Sequence, residues 1–410
     1  MERPHRVLLT GANGYIAQHI LSQLLEAGHS VRAVVRSQSK VDSLKKTFGR
    51  YVDTPQLDFG VVPDITVAGS FDDVLVSHPP FDTVMHTASP FFLRPVKGEV
   101  FLDPAIKGTT EILKSITRVA PSVKRVTITS SFAAIGSMHT DPISNPARTY
   151  TCEDWNIVTL EEASVTENPL ITYPASKKFA EKAAWDFVKE NEVKFELATL
   201  NPPAVFGPLV DPSQYTKPDQ LGETCSWIYN SFISSSLKAS DPVPPTFVYV
   251  WIDVRDLARA HLLAMTVPEA ANKRWFPVGG ELSMQGISNI LRETLPEKRD
   301  TIPIGEPEKT TKPEGFYECS APEVEKVLGL TYRSAKQSIG DLAPQLVDIE
   351  KRAAAAGSSR TKEPQGILRW LAALGWKRSK TESSEEKESQ VIALRQKVSS
   401  LIRRLVSRLA

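Results

Sequence analysis

The sequence has few cysteines and no excess of either charge. Its 410 residues include three cysteines, and 49 Lys and Arg against 48 Asp and Glu leave a net charge of +1. Because Cys152, Cys225 and Cys319 are odd in number and widely spaced, they predict neither a disulfide framework nor a metal centre. The balanced charge gives no reason to expect nucleic acid as a partner. We expect buried or incidental thiols in a reducing compartment.

Long apolar runs are also missing. No stretch approaches the roughly 20 apolar residues that a membrane-spanning helix needs. The N-terminus, MERPHRVLLT, leads directly into an apolar strand, without the apolar stretch and cleavage site of a secretory signal. These features predict a cytoplasmic location. A hydrophobic content of 41% over this length is typical of a globular protein with more than one domain.

Short apolar runs alternate with helical patterns through the first half of the chain. Strands are predicted at Val7–Thr10, Val31–Val35, Asp82–His86, Arg125–Thr129 and Phe195–Leu200, and helices at Gly14–Ala27, Gln38–Phe48 and Asp103–Val119. Apolar strands between helices are typical of a parallel sheet that is covered on both faces. With right-handed crossovers, the pattern predicts an α/β fold built on a Rossmann-type doubly wound parallel sheet.

A glycine-containing loop, TGANGYIA, follows the first strand. Gly11 lies at the turn and Gly14 at the start of the helix, where glycine permits a tight turn and lets the backbone approach a pyrophosphate at the helix N-terminus. The third small residue is Ala17, which still allows close packing of helix on strand. The pattern alone is weak evidence, and an ordinary turn is the alternative. The strand before it and the helix after it favour dinucleotide binding.

The end of the second strand, VRAVVRSQSK, carries no acidic residue that could accept hydrogen bonds from the ribose hydroxyls of NAD. It carries Arg36 and Lys40 instead, and a basic tip suits a 2′-phosphate. Arg32 lies nearer the middle of the strand and is less well placed. Solvated surface cations are the alternative interpretation. The missing acid predicts NADP(H) as the cofactor.

Tyr173 and Lys177 are four residues apart and share one face of a predicted helix. A neighbouring ammonium favours the phenolate, so we expect Lys177 to lower the pKa of Tyr173 toward the working range. We expect Pro174 in the first helical turn, where its missing N–H costs nothing. Spacing of this kind is common by chance, and a surface tyrosine beside a lysine is the alternative.

Two strand ends give this pair a context. Ser130 and Ser131 end the strand in RVTITSSFAA, at the carboxyl edge where doubly wound sheets bind ligands. A serine hydroxyl there would hold a carbonyl oxygen beside the tyrosine, with a simple strand-end cap as the alternative. At the same edge, Ala88 and Ser89 in VMHTASPFF are small enough to let a cofactor pass. Together these residues predict a catalytic site for carbonyl chemistry.

From about Arg6 to Ile349, the chain resembles the extended short-chain dehydrogenases/reductases. Within them it is most similar to the dihydroflavonol-reductase-like group, and there to the yeast-type NADPH-dependent methylglyoxal and aldehyde/ketone reductases. The resemblance rests on ordered motifs: GANGYIAQHI, RSQSK, VVPDI, HTASPF, TSSFAA, YPASKKFAEKAAWDF, NPPAVFGP and IDVRDLARAHL.

The resemblance implies a role for each matching residue. Tyr173 would donate the proton to the carbonyl oxygen, Lys177 would bind the nicotinamide ribose, and Ser131 would hold the carbonyl. Hydride would come from the cofactor. The cofactor-binding residues implied are Gly11, Asn13, Gly14, Tyr15, Ile16, Arg36, Lys40, Asp64, Ile65, Ala88, Ser89, Tyr173, Lys177, Pro202 and Val205.

The substrate pocket departs from the family pattern. Relatives often have tyrosine where this chain has Phe132 and Ala204, which predicts a roomier and more apolar pocket. Phe91 and Phe92 would supply its wall, with burial in the core as the alternative. We therefore expect the substrate to be a small molecule with a carbonyl group. Our hypothesis is a ketone or aldehyde that is bulkier and more apolar than the substrates of these relatives.

Reduction of an aldehyde or ketone by NADPH is the function that the motifs favour, and the same residues would serve the reverse oxidation. A 3β-hydroxysteroid-type dehydrogenase or a sugar-nucleotide epimerase or dehydratase is the alternative on the same fold. Pro208–Ser240 is poor in the basic residues that a sugar diphosphate needs. A further alternative is a cofactor-sensing protein without turnover. Such a protein would be expected to lose Tyr173 or Lys177, and this chain has both. The sequence is compatible with a monomer or a homodimer.

The predicted domains follow from these patterns. Residues 1–205 form the NADP-binding Rossmann domain, and the sheet receives one return segment at 247–266, a strand followed by a helix capped by Asp253. Residues 206–246 and 267–349 form a smaller substrate lobe, and 350–389 a linker. Residues 390–410 form an amphipathic, basic C-terminal helix that suits an acidic membrane surface or a partner helix; a weakly helical appendage is the alternative.

Overall fold

The computed structural model describes residues 4–89, 98–137 and 142–357. Phe91, Phe92, nearly all of the expected linker and the basic C-terminal segment at 390–410 lie outside these ranges. In the described part of the chain, no helix has the length and apolar character that a bilayer-crossing segment needs.

Twelve strands and twelve α-helices make up this part of the structure. The strands are β1 Arg6–Thr10, β2 Ser30–Val35, β3 Leu57–Val61, β4 Thr83–His86, β5 Arg125–Thr129, β6 Thr149–Tyr150, β7 Glu196–Leu200, β8 Ala204–Phe206, β9 Val250–Asp253, β10 Lys273–Trp275, β11 Gly280–Glu281 and β12 Glu318–Cys319. The helices are α1 Tyr15–Glu26, α2 Gln38–Thr47, α3 Gly49–Val52, α4 Asp72–Leu75, α5 Gly98–Val119, α6 Leu160–Ser164, α7 Pro169–Glu190, α8 Glu223–Ile228, α9 Val254–Thr266, α10 Met284–Thr294, α11 Pro322–Leu328 and α12 Ala335–Ala355.

Seven strands form the main sheet in the order β10-β7-β5-β4-β1-β2-β3, and every neighbouring pair is parallel. The order reverses between β1 and β4, so their carboxyl ends open a crevice at the topological switch point. The Rossmann-type doubly wound sheet predicted from the sequence is confirmed.

Burial of both faces explains why the strands are apolar throughout. On β1, Val7 and Leu9 pack with α1 and α9, whereas Leu8 packs on the opposite face with residues of α5 and α7. All three side chains are fully buried. Alternate residues of a strand point to opposite faces, so a sheet covered on both sides needs apolar residues at every position.

The strand of segment 247–266 does not join the main sheet, so this part of the prediction is wrong. β9 joins β8 and β11 in a separate three-stranded sheet. The helix of that segment, α9, does return and packs on α1, with Asp253 Oδ1 accepting from the Arg255 N–H at its start (2.8 Å). The strand that completes the main sheet is β10, within the region expected to be substrate lobe. With only three residues at a sheet edge, it carries almost no periodic signal.

The second lobe has its own core, formed where α8, α10 and α12 meet, with Phe232, Leu291 and Leu342 fully buried at its centre. Helix α12 continues to Ala355, so a linker does not begin at residue 350 as expected. Its last turns are held in place because Ile349 and Ala353 are buried. The apolar spacing of the helix therefore extends beyond the predicted boundary.

Candidate active site

The glycine loop between β1 and α1 is shaped by close contact with the end of β4. Gly11 has φ +64°, and a Cβ atom there would lie 2.9 Å from the backbone N and Cα of Ala88. The N–H of Gly14 donates to the Gly11 carbonyl (2.8 Å) before α1 begins. Only glycine fits Gly11 without strain. The loop therefore has the tight turn and exposed helix N-terminus that a dinucleotide pyrophosphate requires, and a bound NADP(H) fits there.

Hydrogen bonds fix the end of β4 against the same loop. Thr10 Oγ1 accepts from the backbone N–H groups of Thr87 and Ala88 (3.2 Å each), and Thr87 Oγ1 donates to the Thr10 carbonyl (2.6 Å). Ala88 and Ser89 thus follow directly beside the glycine loop. This is the position expected of residues along the cofactor path.

Tyr15 joins the glycine loop to the second lobe. Its hydroxyl donates to the carbonyl oxygen of Gly207 (2.6 Å), and burial raises the pKa of the phenol well above its ordinary value. One residue on, Ile16 packs against two apolar clusters, one around β1, α1 and α9 and the other around β7, β9 and α9. Both residues line the cavity described below.

At the tip of β2, Arg36 follows the last residue of the strand and Lys40 lies in the first turn of α2. Arg36 is exposed and Lys40 is partly exposed, and neither forms an ion pair with the described residues. Arg32 differs because its guanidinium is bound to Asp58 (2.7 Å) and to the carbonyls of Val74 (3.0 Å) and Val76 (2.7 Å). The guanidinium of Arg32 therefore has a structural role, joining β2 to the end of α4 and to β3.

Asp64 and Ile65, expected near the adenine, lie beyond the end of β3. Asp64 Oδ1 accepts from the N–H (2.8 Å) and the hydroxyl (2.7 Å) of Thr66, and these bonds lower the pKa of its carboxyl. Ile65 packs so closely on helix α5 that a Cβ at Gly108 would lie 2.5 Å from its Cδ1. Neither residue lines the cavity that holds the predicted catalytic side chains.

The structure brings the three predicted catalytic residues together. Tyr173 Oη donates to Ser131 Oγ (3.4 Å), which also accepts from the N–H of Ala133 (3.1 Å). Ser131 is thus both a cap and a neighbour of the phenol. Lys177 Nζ donates to Ser89 Oγ (3.0 Å) and lies 5.9 Å from the centre of the Tyr173 ring. The ends of β4 and β5 and one face of α7 meet at this point.

The expected lowering of the tyrosine pKa is wrong. Burial raises the pKa of Tyr173 to about 12, and the hydrogen bond to Ser131 opposes the rise only in part. Burial also lowers the pKa of Lys177 to about 8. The two groups lose hydration in the same cavity, and this loss is the main cause of both pKa shifts. At neutral pH the phenol keeps its proton, which is the form a general acid needs.

Helix α7 begins earlier than the sequence indicated. Asn168 caps it by accepting from the Leu170 N–H (3.0 Å), and Pro169 occupies its first position. Pro174 therefore lies inside the helix, and the expectation that it sits in the first turn is wrong. A proline there removes one backbone hydrogen bond. The start signal, an Asn-Pro pair, was present in the sequence.

A cavity of about 430 Å³ contains most of the predicted site residues. Among its lining residues are Gly11, Gly14, Tyr15, Ile16, Ser89, Ser131, Phe132, Tyr173, Lys177, Pro202, Ala204 and Val205. Asn13, Arg36, Lys40, Asp64, Ile65 and Ala88 are not among them. Over the described ranges, no group of three His, Cys, Asp or Glu residues could hold a metal ion.

Phe132 lines this cavity but is only 4% exposed. Its ring stacks on Phe276 at 5.2 Å between centroids and packs edge-on against Tyr150 at 5.8 Å. Most of the side chain therefore belongs to an aromatic core below the site. Phe91, the other aromatic residue expected in the pocket, lies outside the described residues.

The sequence did not reveal the residues that the second lobe contributes. This part of the lining, the substrate-lobe wall, consists of Gly222, Glu223, Thr224, Trp227, Phe247 and Val248. Glu223 and Trp227 are one turn apart on α8, a spacing that is visible in the sequence. Nothing in the sequence indicates that this short helix faces the strand ends, because the contact is purely tertiary.

Sequence reasoning also missed a buried carboxylate below Ser131. Glu181, 2% exposed, accepts hydrogen bonds from Ser130 Oγ (2.5 Å), Asn201 Nδ2 (2.6 Å), Thr199 Oγ1 (3.0 Å) and Arg274 Nε (2.6 Å). It lies on α7 four residues after Lys177 and eight after Tyr173, so all three share a face of the helix. The four-residue spacing of Tyr173, Lys177 and Glu181 is visible in the sequence and could have indicated that Glu181 lies near the site.

This network reaches Ser131 directly. Asn201 Nδ2 donates to the backbone carbonyl of Ser131 (3.3 Å) as well as to Glu181. Arg274 donates in turn to the carbonyl oxygens of Cys152 and Asp154. A buried carboxylate is stable only when it is paired and fully hydrogen-bonded. The network therefore locks the end of β5 onto α7, and with it the position of Ser131.

Comparisons with known proteins agree with this geometry. The NAD-dependent epimerase/dehydratase family matches residues 7–279. The chain is 38% identical to ketoreductase azaE of Aspergillus niger over 84% of this chain and 98% of the relative. It is also 38% identical to the NADPH-dependent methylglyoxal reductase GRE2 of Saccharomyces cerevisiae, over 84% and 99%. The crystal structure of yeast methylglyoxal/isovaleraldehyde reductase Gre2 with NADPH superposes with a TM-score of 0.77 at 37% identity, covering 85% of this chain and 99% of that one.

Proposed function

The chain belongs to the NAD-dependent epimerase/dehydratase family, and on that basis we propose that it reduces an aldehyde or ketone to the alcohol with NADPH. The relatives named above are a ketoreductase and an NADPH-dependent methylglyoxal reductase, and each is matched over nearly its whole length. The reverse oxidation would use the same residues.

One observation carries the proposal: Ser131, Tyr173 and Lys177 line a single cavity with the glycine loop. A reductase of this kind needs a proton donor, a group that holds the carbonyl oxygen, and a cofactor site within reach of both. Tyr173 and Ser131 are hydrogen-bonded to each other, and Lys177 reaches Ser89 on the cofactor side. Each required part is present.

The hydrogen-bonding capacity of the side chains gives each a role. When bound, NADPH supplies the hydride. Tyr173 donates its proton to the carbonyl oxygen as that oxygen gains negative charge. Ser131 Oγ accepts from Tyr173 and Ala133, so its own hydroxyl hydrogen is available to hold the carbonyl oxygen. Lys177 gives one of its three N–H donors to Ser89, which leaves two for the ribose hydroxyls.

NADPH rather than NADH fits the end of β2. Arg36 and Lys40 form no ion pair with the described residues there, and a doubly charged 2′-phosphate would pair with both. Sugar-nucleotide chemistry is less well supported, because Lys177 is the only cation among the described residues that line the cavity. A sugar diphosphate would need further positive charge.

The substrate is proposed to be bulkier and more apolar than methylglyoxal. Ala204, Val205, Trp227, Phe247 and Val248 give the cavity an apolar lining beyond the catalytic groups. NADPH and NADH oxidation followed across aldehydes, aliphatic ketones and flavonoid-like ketones tests this. We expect NADPH to be preferred and aromatic or branched ketones to be reduced with the highest kcat/KM. Reduction of small dicarbonyls alone would contradict the substrate proposal, and no NADPH oxidation with any carbonyl would contradict the function.

A further inference from the structure

The described lining of the cavity contains two charged side chains, Lys177 and Glu223. Lys177 is bound to Ser89 and belongs to the catalytic group. Glu223 is the first residue of α8, on the substrate-lobe wall. The reaction described above gives this carboxylate no task.

Glu223 has no hydrogen-bond or ion-pair partner among the described residues, although it is only partly exposed. Loss of hydration raises the pKa of its carboxyl. A carboxylate without a partner in such a place is unfavourable in the free protein. A ligand that donates a hydrogen bond to it, or brings a positive charge, would relieve this cost.

Trp227 adds a second unsatisfied polar group one turn along the same helix. Its indole Nε1 is buried without a hydrogen-bond partner in the described structure, and the side chain lines the cavity and packs near Phe206 (6.4 Å between ring centroids). The substrate-lobe wall therefore combines a flat aromatic surface with a carboxylate. Such a surface suits an aromatic or otherwise flat group that carries a polar substituent.

We propose that Glu223 selects carbonyl substrates that present a hydroxyl or amino group to the substrate-lobe wall, and rejects those that present an anion. This inference rests on the proposed carbonyl reduction and narrows its substrate class. A site with an unpaired polar group discriminates strongly against ligands that fail to satisfy it. A carboxylate on the substrate would add repulsion in a cavity of low polarity, where like charges interact strongly.

The test uses the full-length protein with NADPH and a series of arylbutanones that differ only in the para substituent: hydrogen, hydroxyl, aminomethyl or carboxylate. We expect the hydroxyl and aminomethyl members to exceed the unsubstituted ketone by about tenfold in kcat/KM, and the carboxylate member to fall about 100-fold below it. Glu223→Gln should raise the carboxylate member by about tenfold or more and remove the preference for the aminomethyl member.

Two controls separate charge from folding. Glu192→Gln changes an exposed glutamate beyond α7 and should leave all four values unchanged. Cofactor titration should show that Glu223→Gln is folded and still binds NADPH. Equal activity on the carboxylate and unsubstituted ketones, or the same ratio in Glu223→Gln, would overturn this inference but leave the reductase function in place. Failure of every member to oxidise NADPH would overturn the reductase function and this inference together.

Discussion

The two sides of the cavity are built differently. On the strand-edge wall, formed by the ends of β4 and β5 and by α7, each catalytic side chain has a hydrogen-bond partner: Ser131, Tyr173 and Lys177 are all fixed in this way. On the substrate-lobe wall, Glu223 has no partner among the described residues and the Trp227 indole N–H is unsatisfied. Catalysis requires side chains that are held in a fixed geometry. Selection among substrates can use polar groups whose hydrogen bonds only the bound substrate completes. The difference supports the proposed assignment of catalysis to the strand-edge wall and of selectivity to the substrate-lobe wall.

Removal of the proton donor from the strand-edge wall should have the largest effect. Tyr173→Phe should lower kcat by about 1,000-fold, because a general acid contributes in that range. The dissociation constant for NADPH should stay within about twofold, since the ring remains and only its hydroxyl is lost. Steady-state kinetics and cofactor titration measure the two quantities. Tyr51→Phe, on α3 away from the cavity, should change neither. A Tyr173→Phe variant that retains turnover would contradict the assignment of the acid.

Removal of the carboxylate below the same wall should affect both stability and rate. Glu181→Gln leaves the Arg274 guanidinium buried beside a neutral amide, so the free energy of unfolding should fall by about 3 kcal/mol. The kcat should fall as well, because Glu181 holds the Asn201 amide, which in turn donates to the backbone carbonyl of Ser131. Urea unfolding and kinetics check this. Asp186→Asn breaks the exposed pair with Lys182 on the same helix and should cost less than about 0.5 kcal/mol. Equal costs for the two variants would show that the network has no special role.

Removal of positive charge from the cofactor site should change cofactor choice and leave the chemistry intact. In the double variant Arg36→Ala with Lys40→Ala, the preference for NADPH over NADH should fall by about 100-fold or more, since each charge-assisted hydrogen bond contributes about 1.5–3 kcal/mol. The kcat at saturating NADPH should be kept. Lys46→Ala, an exposed cation on α2, is the matched control. An unchanged preference would place the 2′-phosphate elsewhere.

Loss of the aromatic surface on the substrate-lobe wall should have the smallest effect. Trp227→Ala should raise the KM for an aryl ketone by about fivefold, because an aromatic contact contributes about 0.5–1.5 kcal/mol. The KM for NADPH and the kcat should be unchanged. A drop in kcat with constant KM would show that this wall takes part in the chemistry, and the proposed division between the two walls would fail.

The same contrast explains what could be predicted from the sequence. The strand-edge wall follows from local patterns, because parallel strands bring their carboxyl ends to one edge wherever they lie in the chain. Tyr173, Lys177 and Ser131 could be placed together on that basis. The edge strand β10 could not be predicted, since Lys273–Trp275 has neither length nor alternation.

The substrate-lobe wall depends on how one lobe packs on another, and no local pattern reports this. Glu223 and Trp227 look like ordinary residues of a short helix until α8 is seen against the strand ends. The pKa of Tyr173 was predicted in the wrong direction for a related reason. The charge of Lys177 could be read from the sequence, but the loss of hydration that raises the pKa depends on how deeply the cavity lies.

The proton-donor role of Tyr173 can be tested by the structure of a dead-end complex with NADP⁺ and an unreduced aryl ketone. We expect the carbonyl oxygen to lie within about 3 Å of both Tyr173 Oη and Ser131 Oγ, with the rest of the ketone against α8. A carbonyl oxygen bound instead by Glu223 or Trp227, with Tyr173 directed away from it, would show that Tyr173 is not the proton donor.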